Sequence, residues 1–110
     1  MSLVRCFSLC MVQKINKQQI PVAILDPEMM SIVVMETEKK ASVDYLAKAL
    51  AWYSRKEYIT FFHDNGNHWV LVVIIPKWNK VLYLDSLISQ LHDFNLLKGV
   101  INKAYEKAKI

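Results

Sequence analysis

His68 and Asp85 are the two residues of this sequence best suited to act together chemically. An imidazole hydrogen-bonded to a carboxylate keeps one tautomer and has its positive charge supported. It can then take a proton from a nucleophile. His68 opens one apolar run, Trp69–Ile75, and Asp85 follows another, Val81–Leu84, with Pro76-Lys77-Trp78-Asn79-Lys80 between them. Two such runs around a short polar loop read as a β-hairpin. Register decides whether the pair can touch. A reversal at Pro76-Lys77 sets His68 opposite Asp85, with Cβ atoms about 5 Å apart. A reversal at Trp78-Asn79 sets Val72 opposite Asp85, an offset of about 13 Å at ~3.3 Å per residue. Both registers keep the two side chains on one face. Proline disfavours the mirror-image turns of two-residue hairpins, so turn chemistry leaves the register open. A plainer account makes His68 a histidine at a loop edge and Asp85 a cap for the turn at Ser86.

Other candidates are weaker. His63 and His92 compete as partners. His63, Asp64 and His68 do not have a zinc spacing and no thiolate joins them, so no metal site is expected. His92-Asp93 reads as the start of the last helix, with Asp93 as N-cap. Trp69 points to the face opposite His68 in a regular strand and on pattern alone is a core tryptophan. Trp52 reads as a helix-surface residue and Trp78 as a loop residue. Cys6 and Cys10 are the only thiols. Nothing near them offers a base or a helix N-terminus to lower a thiol pKa, so they read as inert.

The elements that must position these residues follow from periodicity. Residues 1–20 show no clean period and read as a loosely attached leader. Residues 21–110 form the domain. Ile20–Leu25 is a short apolar run ended by the turn signal Asp26-Pro27. Met29–Met35 is a second run, strand or helical turn being undecided. Ser42 is the expected N-cap of a helix with Asp44 in its first turn, Val43, Leu46, Leu50 and Tyr53 as its apolar stripe, and Arg55 and Lys56 at its end. A strand over Tyr58–Phe62 and a tight loop over His63–Asn67 lead into the hairpin. The hairpin strands do not alternate polar with apolar residues, which predicts cover on both faces. Phe94, Leu97, Ile101, Ala104 and Tyr105 mark a final amphipathic helix, weakened at Gly99. Helix, strand, hairpin and helix make an α+β domain.

With 110 residues, 54% of them hydrophobic, the chain can bury a core. The net charge of +4 comes without any run of five basic residues, which weighs against a nucleic-acid partner and leaves an acidic protein partner open. Two cysteines without a framework fit a reducing, intracellular compartment. No apolar stretch is long enough to span a membrane.

His68-Trp69-Val70-Leu71-Val72-Val73-Ile74 and Tyr83-Leu84-Asp85-Ser86-Leu87 together resemble the Ulp/sentrin-type, SUMO-specific cysteine protease family. That family has a His-Trp at a strand start and a Leu-Asp-Ser at the end of the next strand. Ala23-Ile24-Leu25-Asp26-Pro27, Asp44-Tyr45-Leu46 and Lys56–Phe62 are similar to upstream parts of plant, often transposon-associated, members. The resemblance covers residues 21–107. It implies part of a papain-like cysteine protease fold, with a central antiparallel hairpin in a mixed sheet flanked by helices. It also implies cleavage after the Gly-Gly tail of SUMO or a related modifier, without a cofactor, in a setting that is often nuclear. His68 would be the general base and Asp85 its orienting carboxylate, directly opposed, with Trp69 covering the glycine channel. The family's oxyanion-hole glutamine and nucleophilic cysteine come after the last helix, and no residue here takes either role. The expectation is a chain truncated before its nucleophile and inactive alone. The alternative is a non-catalytic modifier-binding module or a gene fragment. An incomplete sheet cover would also favour self-association.

Overall fold

The computed structural model describes residues 21–64, 69–85 and 94–108. Strand β1 (Val22–Ile24) leads into helix α1 (Ile32–Thr37) and helix α2 (Lys39–Trp52), followed by β2 (Tyr58–Asp64). Then come β3 (Trp69–Ile75), a 3₁₀ turn (Pro76–Trp78), β4 (Lys80–Asp85) and helix α3 (Asn95–Ala108). The four strands lie in the order β1-β2-β3-β4. β1 runs parallel to β2, and the other neighbours are antiparallel. The result is the α+β architecture expected, a mixed sheet with helices.

The undecided run at Met29–Met35 resolves as a short helix. Ser31 caps it, accepting a hydrogen bond from the Val34 N–H at 3.3 Å. Asp26 makes the preceding turn by accepting from the Glu28 N–H at 3.0 Å. The next helix starts three residues before its expected N-cap. Ser42 is fully buried inside α2, and its hydroxyl donates to the Met29 carbonyl at 3.0 Å. Backbone groups replace the side-chain cap, because the Glu38 carbonyl accepts from Ala41 and Ser42. A serine with a tertiary partner is not free to cap, which is why local propensity misplaced this boundary. Asp44 therefore lies beyond the first turn, where it pairs with Lys107 of α3.

β2 is two residues longer than expected. His63 and Asp64 pair with Val70 and Trp69, so they belong to the strand and not to the loop. The hairpin uses a four-residue loop, with Ile75 paired to Lys80. Pro76 sets the first φ of the 3₁₀ turn, and the Asn79 N–H returns to the Pro76 carbonyl at 3.2 Å. Asn79 has φ 50, a left-handed conformation that asparagine tolerates better than most residues.

The core lies between the helices and one face of the sheet. Ile59, Phe61, Val70, Val72 and Ile74 meet Leu46, Leu50, Leu97, Val100 and Ile101 there. The other face was expected to be covered too. Burial instead alternates along β2 and β3 although polarity does not. Leu82 and Leu84 remain 40% and 54% exposed on that second face, as the described helices pack against the first.

Candidate active site

β2 ends, β3 begins and β4 ends at one edge of the sheet. Residues His63, Val70 and Asp85 form one row across it, since His63 pairs with Val70 and Val70 with Asp85. The register thus falls between the two that the hairpin allowed. Val70, not His68, stands directly opposite Asp85, which corrects the direct opposition implied by the resemblance. The physical reason is the four-residue loop. Proline at its first position and a left-handed Asn79 at its last shift every pair by two relative to a two-residue turn at Pro76-Lys77. His68 itself lies outside the described residues, as do the Ser86 turn, His92 and Asp93.

His63, the competing histidine, is committed elsewhere. Its ring is 1% exposed, and Nδ1 donates to the Met30 carbonyl at 2.7 Å. That bond requires the proton on Nδ1. Two strand spacings, about 9.6 Å, separate its backbone from that of Asp85. The signal for a core role was present in the sequence, because His63 continues the inward alternation of Ile59 and Phe61. Asp64 faces the other side, so the two adjacent groups do not converge. Among the described residues no cluster of three His, Cys, Asp or Glu side chains could hold a metal ion.

Packing steadies this edge from behind. The Ser42 hydroxyl anchors Met29, and the next carbonyl, that of Met30, anchors His63. α2 is thereby tied to the end of β2 through two consecutive residues of the preceding loop. On the other flank Tyr83, two residues before Asp85, stacks on Phe94 with centroids 5.1 Å apart. Lys98 of α3 lies 5.8 Å from the same ring. Burial pushes the Tyr83 hydroxyl pKa above its ordinary value.

Trp69 opens β3 opposite Asp64 and is 37% exposed. It is not a core tryptophan among the described residues. It shares the outer face with the row Phe62, Leu71 and Leu84. The edge therefore presents an apolar outer surface beside a polar strand terminus. Trp52 and Trp78 are exposed, as their positions suggested. No described helix is long and apolar enough to cross a membrane. Cys6 and Cys10 lie outside the described residues.

No curated protein and no solved structure shows a match to the chain. A family model does match, over residues 2–103: the C-terminal catalytic domain of the Ulp1 protease family. Members are cysteine peptidases that act on SUMO and related ubiquitin-like modifiers and their conjugates. The match takes in nearly all of the chain, including both hairpin strands, α1, α2 and the first part of α3, and by it the chain belongs to the Ulp1 protease family.

Proposed function

We propose that this chain carries the proton-transfer half of a SUMO-type cysteine peptidase site, with His68 as general base and Asp85 as its orienting carboxylate. One observation carries the reading: the β3–β4 pairing sets Asp85 beside Val70, two residues after His68. Diagonal neighbours across an antiparallel pair lie about 7–8 Å apart, within reach of long side chains. In this reading the imidazole takes the thiol proton and the thiolate attacks the carbonyl of the modifier's terminal glycine. The imidazolium then returns the proton to the departing amine. Trp69 would confine the Gly-Gly tail, and its exposure beside the strand start supports that role.

The two cysteines, Cys6 and Cys10, both precede His68, and the reading gives neither the nucleophile's part. The 110 residues on their own would then bind a modifier without cleaving it. A base without a thiol has no covalent route. The test titrates the chain with SUMO while following the His68 ring by NMR across pH. Binding without release of a fluorophore from the Gly-Gly tail is expected. So is a His68 midpoint that falls in Asp85→Asn, because a nearby carboxylate favours the charged imidazole. Turnover surviving Cys6→Ser and Cys10→Ser would overturn the division of roles. An unchanged His68 midpoint in Asp85→Asn would remove the couple.

A further inference from the structure

A cleft of about 340 Å³ opens between α2 and α3, lined by Lys39, Lys40, Val43, Asp44, Lys103 and Lys107. Four cations surround one acid. That acid is taken, since the Lys107 ammonium hydrogen-bonds Asp44 and holds its carboxyl below the usual range, with Lys40 and Lys48 adding to the effect. Among the described residues Lys39, Lys40 and Lys103 form no ion pair. Lys39 and Lys40 also add to the positive end of the α2 dipole where acidic residues would offset it. Beyond the Lys107–Asp44 pair, such an arrangement raises the repulsion within the fold. It suits a partner that brings its own negative charge.

We propose that this cleft docks an acidic protein segment, one presenting several Asp or Glu carboxylates. Two features favour carboxylates on a polypeptide over nucleic acid. Among the described residues the cleft has no aromatic lining on which a base could stack. It is one open, local spot between two helices and not a track along a phosphate backbone. Val43 supplies an apolar floor for the methylene part of an acidic side chain. The inference does not depend on the peptidase reading, because none of these residues belongs to the His68–Asp85 edge.

The experiment measures binding of a fluorescein-labelled octaglutamate peptide to the full chain by anisotropy, beside a single-stranded oligonucleotide of equal length. Lys40→Glu with Lys103→Glu reverses two exposed cations of the cleft. Lys77→Glu with Lys80→Glu makes the same change in net charge at the hairpin loop. Circular dichroism checks that both double variants fold. Peptide affinity should fall roughly tenfold in the cleft variant and far less in the loop variant, and added salt should weaken it. Equal losses in the two variants would show attraction to net charge alone and overturn the proposal. Oligonucleotide binding as tight as peptide binding would overturn it as well.

Discussion

The His63 imidazole is held inside the core by the Met30 carbonyl, and its neighbour Asp64 is turned the other way. Histidine in a site-like sequence is thus a structural anchor. His63→Leu should keep the shape of the core but strip the Met30 carbonyl of this donor, at a cost of about 1–3 kcal/mol. Urea denaturation would show it as a lower midpoint, and an unchanged midpoint would mean that the bond contributes nothing. A second residue-level effect belongs to Asp44. Lys107 depresses its carboxyl below the ordinary 3.8, so the pair's contribution is complete above that value. It is lost as pH falls through the depressed, folded value. Thermal melts of the wild type and Asp44→Asn should therefore differ near neutrality and converge well below 3.8. The difference will be modest, because the pair is exposed to solvent.

Among the elements, α3 has one weak position. A Cβ added at Gly99 meets nothing within 4 Å, so Gly99→Ala removes backbone freedom from the unfolded chain without a clash. The gain should be about 0.5–1 kcal/mol, read as a melting temperature raised by several degrees. Long periodic elements were legible in the sequence: the α2 stripe of Val43, Leu46 and Leu50, the two hairpin strands, and the inward face of α3. Which residues share a face followed from their spacing, but that only one face of the sheet is packed by the described helices did not. What stayed hidden was set by partners distant in sequence. Ser42 looks like a cap until Met29 claims its hydroxyl. His63 and Asp64 look like loop until Val70 and Trp69 pair with them. The register at Asp85 turned on whether Asn79 would enter a left-handed conformation, and no local pattern decides that. Of the candidate site the sequence offered residue types and a shared face; the structure sets Asp85 opposite Val70, and His68 lies outside the described residues.

At the scale of the molecule the sheet is unequally dressed. One face is packed against helices, while Tyr58, Trp69, Leu82 and Leu84 stay partly or largely exposed on the other. An apolar sheet face of this kind favours association. Sedimentation of the 110-residue chain should show a mass that rises with concentration, and Leu82→Lys with Leu84→Lys should suppress the rise. A monomer at every concentration would count against this. The parallel pairing of β1 with β2 has a consequence in time. β2, β3 and β4 are neighbours along the chain and can meet early, since short loops close at little entropic cost. Val22 reaches Tyr58 only across both α1 and α2, and the Pro21 carbonyl waits for the N–H groups of Glu57 and Tyr58. β1 is therefore the natural last strand to dock and the first to leave. Its few hydrogen bonds time the completion of the sheet and mark the point from which the fold would begin to unravel.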